Sequence, residues 1–298
     1  MIFPPEQQRQ LNRKKTESKG CRNATALMLI LQKEVSPVYT DAQMRLIFER
    51  IGLSYEPNVA RDATLLTELQ HAFLTTVPYE NLDILAGIPL SFEQEALYDK
   101  IVTRRRGGYC FELNGFLAFV LRDLGYPVKE YMGRFLQGET SIPMRRHRIL
   151  GVEADGKRYI CDVGVGRASF RVPLEMREGS ISEQYGERYR VDKEPFFGWV
   201  ISDFHKGEWR RLYSFTEEEQ LNIDYIMPSF WCEHAPESPF IAAPKLSIKT
   251  DTGRITLDGN TFRIFDGDKI DERTLAEDEL RDVFKRYFGL EYNEKSVR

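Results

Sequence analysis

Apolar positions along this chain follow a helical period in its first part and a shorter, strand-like period after it. Leu113, Phe116, Leu117, Val120 and Leu124 share one face of a helix, which Gly125 and then Pro127 close. The helix starts at or near Cys110, just after Arg106, Gly107, Gly108 and Tyr109. Three more helices are predicted upstream, over residues 41–51, 62–74 and 92–103, with Asp41 capping the first and residues 77–82 forming a turn after the second. Beyond Pro127 the pattern becomes that of strands. Residues 128–134 form one strand, and residues 146–152 and 157–163 form a hairpin about Asp155-Gly156. Residues 189–191, 198–201 and 208–215 read as further strands, and so many short strands point to a barrel or a strongly curved sheet. After these come an irregular Pro/Ser stretch over 232–244, a hairpin around Thr252-Gly253 and Asp258-Gly259-Asn260, and a helix over 275–288 ended by Gly289.

The pattern sets an organisation of the α+β class. Residues 1–39 are an N-terminal extension, 40–124 a helical bundle, 125–230 a β-barrel, and 231–298 a mixed α/β segment. The extension is polar and basic to Arg22, with a short apolar run over 24–31. Gln32, Lys33 and Glu34 follow that run at once with no small-residue cleavage pattern, so a packed helix or a flexible arm is expected rather than an export signal.

Composition narrows the function classes. The formal net charge is −4 over 298 residues, with both signs interspersed, which leaves no basic field for nucleic acid and no acidic tail. No apolar run approaches the roughly 20 residues of a membrane span. Cys21, Cys110, Cys161 and Cys232 are scattered, without CxxC or Cys/His ligand spacing. That argues against structural zinc and for reduced thiols in a cytoplasmic setting.

The candidate chemistry begins at Cys110. A helix N-terminus offers unpaired N–H groups and the positive end of the dipole, which favour a thiolate. Such surroundings lower a cysteine several units from its usual value of roughly 8.5. Gly107 and Gly108 let backbone approach where a side chain would block a substrate. A lone cysteine at a helix start is more readily a buried packing residue, so the choice depends on a partner base. The chain has four histidines. If Asp155-Gly156 is a two-residue turn, Ala154 faces Lys157 and Ile149 faces Asp162. His147 is then a diagonal neighbour of Asp162 on one face of the sheet. A carboxylate there holds the imidazole in one tautomer, the orienting role in a nucleophile–base–acid triad. The competing reading of His147 and Asp162 is a cross-strand ion pair on the surface. His205, before Lys206-Gly207, reads as a turn residue, His71 as mid-helix packing or surface, and His234 as part of an irregular segment.

The run from Arg106 to Asn114 resembles the arylamine N-acetyltransferase signature, RGGxCxELN. His71 with the run from Val77 to Leu82 resembles that family's HxxxxxVPFENL stretch, with Tyr79 in place of Phe. His147 and the run Asp162-Val163-Gly164-Val165-Gly166 resemble its third stretch. Residues 254–260 and 287–290 look like family endings, so the resemblance covers roughly residues 40–292. It implies a helical bundle, a β-barrel and an α/β lid, with a Cys110–His147–Asp162 triad between the first two. It also implies ping-pong acetyl transfer from acetyl-CoA to an arylamine, arylhydrazine or N-hydroxyarylamine through acetylated Cys110. Acetyl-CoA would be a co-substrate, with no metal, no nucleic-acid or membrane partner, and a monomeric or homodimeric chain. Gly164 and Gly166 permit backbone approach to the cofactor's pantetheine arm, or else form a tight turn. Tyr79 and Val165 fall in the substrate pocket, and Val165 stands where many members have Phe, which widens that pocket. The Cys232-Glu233-His234-Ala235-Pro236 segment departs from the family's Ser/Thr-rich version. Arg106 and Glu80 read as a buried ion pair locking the loop before Cys110, so removing one partner would cost roughly 3–5 kcal/mol. Rival readings of the same constellation are an amide synthase acting on a polyketide, a thiol hydrolase or transglutaminase-like enzyme, and a binding module without activity.

Overall fold

The computed structural model describes residues 39–293; the extension expected over 1–39 lies outside the described residues apart from Tyr39. Helix α1, Asp41–Arg50, is capped one residue earlier than the sequence indicates. The Thr40 hydroxyl accepts the Gln43 N–H at 3.3 Å while the Gln43 side chain accepts the Thr40 N–H at 3.0 Å. Asp41 therefore sits in the first turn, where the dipole favours an acid. Helix α2, Ala63–Thr76, is capped by Asp62, whose carboxylate accepts the Leu65 N–H at 2.9 Å. Pro78 forces the chain out of helix after it. A single helical turn, α3 (Leu82–Leu85), starts at the last residue of the segment expected as a turn. Helix α4, Gln94–Tyr98, runs on into a π-helical turn, Asp99–Thr103.

Helix α5, Cys110–Leu124, is buried at every position except Arg122 and Asp123. A helix covered all round belongs in a core, and here the other helices pack on one side and the sheet on the other. Gly125 ends it in the left-handed conformation at φ 89°.

Eight strands follow: β1 (Val128–Phe135), β2 (Arg145–Ala154), β3 (Lys157–Cys161), β4 (Leu174–Glu175), β5 (Ser180–Gln184), β6 (Glu187–Glu194), β7 (Gly198–His205) and β8 (Glu208–Phe215). They form one antiparallel sheet in the order β4-β3-β2-β1-β8-β7-β6-β5, a nearly closed barrel. The β2–β3 turn places both Asp155 (φ 49°) and Gly156 (φ 70°) in the left-handed region, the geometry a two-residue hairpin prefers. Strand β2 is buried on both faces. Leu150, Val152 and Ala154 meet the helices, while Ile149 lines the barrel with Tyr131, Ile201, Tyr213 and Phe215. Strands β4 and β5 were not legible in the sequence, because one is two residues long and the other is mostly polar.

The chain then makes a 3-10 turn and helix α6, Ile226–His234. The stretch expected to be irregular from Cys232 thus begins inside a helix. Pro228 lies in its first turn, where a missing N–H costs no hydrogen bond. Instead of one hairpin, residues 245–274 form a four-stranded antiparallel sheet: β9 (Lys245–Lys249), β10 (Gly253–Asp258), β11 (Thr261–Asp266) and β12 (Lys269–Thr274). Every residue of β12 is exposed, so no apolar alternation announces it. Helix α7, Glu277–Val283, and a π-helical turn to Phe288 cover the sheet and stop at Gly289. Tyr79 ties this sheet to the loop before α5. Its N–H donates to Ser247 O at 2.8 Å, its carbonyl accepts the Ser247 N–H at 3.0 Å, and the Glu80 N–H donates to Gly108 O at 2.8 Å. Among the described residues no helix is long and apolar enough to cross a membrane.

Candidate active site

The loop before Cys110 is held on three sides. A Cβ on Gly107 would lie 1.9 Å from Pro78 O, and one on Gly108 would lie 2.7 Å from Glu112 Oε2. These two glycines therefore admit the protein's own neighbouring segments, where the sequence suggested room for a substrate. From below, the buried Arg50 guanidinium donates to the carbonyls of Ile101 (2.8 Å), Thr76 (2.9 Å), Arg105 and Arg106 (both 3.3 Å). Burial, with Arg105 adding, pushes Arg50 down to about 10.

The third support is ionic. Arg106 pairs with Glu80 at 2.7 Å and Asp83 at 2.9 Å, and Lys100 pairs with Asp83 and Glu112, each at 2.6 Å. The remaining carboxylate oxygens are used on backbone: Glu80 accepts the Leu82 N–H at 2.8 Å and Glu112 accepts the Tyr109 N–H at 3.2 Å. Burial raises the Glu112 carboxyl more than Lys100 lowers it. At Lys100 and Asp83 burial opposes the charge, yet their opposite partners outweigh it, so the ammonium is raised and the carboxyl lowered. The ion pair expected between Arg106 and Glu80 is thus one contact in a five-membered cluster.

The hairpin delivers the second half of the site. Ala154 pairs with Lys157 and Leu150 with Cys161, which sets His147 diagonal to Asp162 on the barrel side. His147 Nε2 lies 2.6 Å from Asp162 Oδ2, and the side chains are 5% and 0% exposed. The pair is not a surface one. Burial alone would lower the imidazole; the Asp162 carboxylate outweighs it and, with a hydrogen bond to Cys110, pushes His147 up to about 10. Since Nε2 faces Asp162, Nδ1 is the nitrogen left for the Cys110 sulfur. The three side chains thus form one chain of contacts, sulfur to imidazole to carboxylate.

Residues the sequence reading passed over hold Asp162 in place. Asn114 donates to Asp162 Oδ1 at 2.8 Å and to Arg148 O at 2.6 Å, and accepts the Val163 N–H at 2.9 Å. It stands four residues after Cys110, so the helical period puts both on one face. That spacing was a usable signal. Gln70 on α2 accepts the Asp162 N–H at 3.1 Å, and the Gly164 N–H donates to Asp162 Oδ1 at 2.9 Å. Arg148, fully buried, lies 4.4 Å from the Tyr225 ring centre, pairs with Glu130 at 2.5 Å and donates to Phe111 O at 3.1 Å. Gly115 makes room for it, since a Cβ there would fall 2.5 Å from Arg148 Nη1.

The other predicted residues fall around this centre. A Cβ on Gly164 would lie 2.6 Å from Cys110 Cα, so the loop after Asp162 packs directly on the cysteine. Gly166, at φ 66°, sits against the Tyr79 ring and Ser247. Val165 is buried with the barrel core. Tyr79 is partly buried and packs beside Cys110 and Cys232; burial, then those two groups, raise its hydroxyl well above the ordinary value. His71 stacks on Tyr185, with ring centres 4.9 Å apart, and His234 stacks on Phe230 at 4.3 Å. His205 ends β7 and is exposed. No group of three or more His, Cys, Asp or Glu among the described residues could hold a metal ion.

Comparison with known proteins matches the chain to one family. The N-acetyltransferase family model covers residues 62–297. The arylamine N-acetyltransferase of Mycolicibacterium smegmatis is 34% identical over 221 residues, 72% of this chain and 79% of that protein. The solved arylamine N-acetyltransferase of Salmonella typhimurium superposes with a TM-score of 0.81 at 28% identity, over 86% of this chain and 94% of that one. The Mycobacterium marinum enzyme solved in complex with CoA superposes with a TM-score of 0.75 at 30% identity, over 82% and 91%. Sequence and overall fold agree: the chain belongs to the arylamine N-acetyltransferase family.

Proposed function

We propose that the protein transfers an acetyl group from acetyl-CoA to an arylamine, arylhydrazine or N-hydroxyarylamine, with Cys110 as the carrier. The observation that carries this reading is His147, which bridges the Cys110 sulfur and the Asp162 carboxylate inside a buried site. His147 takes the thiol proton, and the sulfur attacks the thioester carbonyl. The carbon–sulfur bond to CoA breaks, and CoA leaves with a proton returned by His147. The acceptor nitrogen then attacks the acetyl carbonyl carbon on Cys110 and gives its proton to His147; the carbon–sulfur bond breaks, the sulfur leaves as the Cys110 thiolate, and the amide departs. N–H groups of the first turn around Cys110 stabilise the oxyanion of each tetrahedral intermediate. Asp162 keeps His147 oriented and charged.

Residues 40–124 would act as the helical bundle carrying the nucleophile, 125–230 as the barrel carrying its partners, and 231–298 as a lid. Gly164 and Gly166 would line the path of the pantetheine arm, and Tyr79 and Val165 the acceptor side. The family membership and the CoA held by the Mycobacterium marinum relative support acetyl-CoA as the donor.

Intact mass after incubation with acetyl-CoA alone tests the reading. One acetyl group on the protein is expected, absent in Cys110→Ser and discharged by an added arylamine. A label only from longer acyl thioesters would turn the reading toward an amide synthase, and cleavage of peptides toward a hydrolase.

A further inference from the structure

Strand β2 carries one residue more than the strand opposite. Gly133 pairs with His147 and Arg134 with Arg145, which leaves Arg146 between them as a bulge. A bulge re-aims a side chain, and such features gather beside active sites. Here the bulged carbonyl lies 3.8 Å from Cys110 Sγ. The side chain turns toward α6 and the segment after it. Its guanidinium carbon is 5.6 Å from the Trp231 ring centre and 5.9 Å from that of Phe240. Its charge acts on the Tyr79 hydroxyl and the Cys232 thiol, both beside Cys110.

The Arg146 side chain is only 14% exposed, and its one ion pair among the described residues, to the 36% exposed Glu139, is long at 3.8 Å. A guanidinium has five N–H donors, and none of those on Arg146 makes a hydrogen bond among the described residues. The other well-buried arginines differ. Arg50, Arg148 and Arg171 each donate to carbonyls or pair at short range with a carboxylate. Arg146 is therefore a positioned cation, flanked by two aromatic faces, with its guanidinium donors unspent on a residue whose carbonyl lies beside Cys110 Sγ.

We propose that Arg146 receives a carboxylate of the substrate, carried either by the aromatic acceptor or by the acyl group, and so sets a preference for anionic over neutral substrates. This rests on the acyl-transfer reading above. The planar fork of arginine matches a carboxylate in a bidentate pair. The phosphates of CoA are a different case. The pantetheine arm separates them from the thioester, so with the thioester at Cys110 they lie away from a residue whose own carbonyl touches the sulfur. Only groups close to the reacting carbon come within reach.

The test compares charged and neutral isosteres as ratios within each variant. With acetyl-CoA as donor, kcat/KM is measured for 4-aminobenzoate and 4-aminobenzamide. With the donor varied, the rate of Cys110 acylation is read by mass for succinyl-CoA and butanoyl-CoA. The expected result is a charged-over-neutral ratio of at least tenfold in one arm, and the arm identifies which substrate brings the carboxylate. Arg146→Gln should bring that ratio close to one, mainly through KM, while Arg146→Lys keeps part of it. Glu139→Gln, which removes the competing carboxylate at the rim, should raise it severalfold and is the readout should Arg146→Gln fail to fold. Ratios near one in both arms of the unaltered protein, or ratios unmoved by these changes, overturn the proposal. Failure of the underlying reading looks different: no acyl group on Cys110 from any thioester and no acetylation of either amine.

Discussion

Two buried charge clusters, one behind the nucleophile and one between the barrel and the second sheet, are built on opposite ratios. Behind the nucleophile, Glu80, Asp83 and Glu112 share two cations, Lys100 and Arg106. Between the barrel and the second sheet, Glu187 alone faces three: Arg171 at 2.7 Å, Lys249 at 2.9 Å and Arg254 at 3.6 Å. In the first cluster each cation bridges two carboxylates, so removing one strands a buried negative charge. In the second, Arg171 also donates to the carbonyls of Thr250 and Gly253, and Glu187 keeps partners if any one cation is lost. Burial, with Arg171 and Arg254 adding against Glu187, pushes Lys249 down to about 8. The lesson is that a buried ion pair holds structure in proportion to how few substitutes its partner has.

Lys100→Met should show the largest effect, about 3–5 kcal/mol lost in urea unfolding, because Glu112 would keep only a backbone N–H. A loss below about 1 kcal/mol would erase the distinction between the clusters.

Asp162→Asn extends the comparison to the site itself, where one carboxylate supports one imidazole. Without the carboxylate, burial is opposed only by Cys110, so the titration of His147 should fall well below about 10, as followed by NMR of the ring. Acylation of Cys110 should slow by about 10²–10⁴-fold in the same protein. In the unaltered protein the sign follows from linkage. A raised imidazole contributes stability that is full below 6.5 and lost as pH rises through about 10.

Asn114→Ala removes a hydrogen bond from Asp162 and leaves the buried Val163 N–H without its acceptor. About 1–3 kcal/mol of stability should go with it, measured by thermal or urea unfolding.

Lys249→Met should be the mildest, within about 1 kcal/mol of the unaltered protein at neutral pH, since Arg171 and Arg254 remain with Glu187. Its pH signature is opposite to that of His147. A lysine lowered to about 8 in the fold and at 10.5 when free weakens the folded state below about 8. It relieves that as pH climbs to 10.5. The upward slope in stability between those values should vanish in Lys249→Met.

Much of the site's framework was legible because it depends on neighbours in sequence. The apolar period from Leu113 to Leu124 and the stop at Gly125 define α5 with no knowledge of what covers it. Asp155-Gly156 sets a two-residue turn, the turn sets the register, and the register puts His147 diagonal to Asp162. Strand β12 and helix α6 were not legible. One is exposed throughout and so lacks alternation, and the other carries Pro228 where a helix tolerates it. The roles of Gln70, Arg50 and Arg148 were also hidden, since each polar side chain satisfies backbone or charge on an element distant in sequence.

By itself, then, the sequence determined the local periods, the helix ends and the hairpin register, all governed by sterics and hydrogen bonds over a few residues. Tertiary structure decided which surfaces meet. It brought the Cys110 sulfur to His147 and buried Asp162 against Asn114. It also inserted Arg146 as a bulge beside the sulfur and set the ratio of charges in each buried cluster. The physical reason is that a polar side chain's cost or benefit depends on the partners that burial leaves it, and those come from parts of the chain no local rule connects.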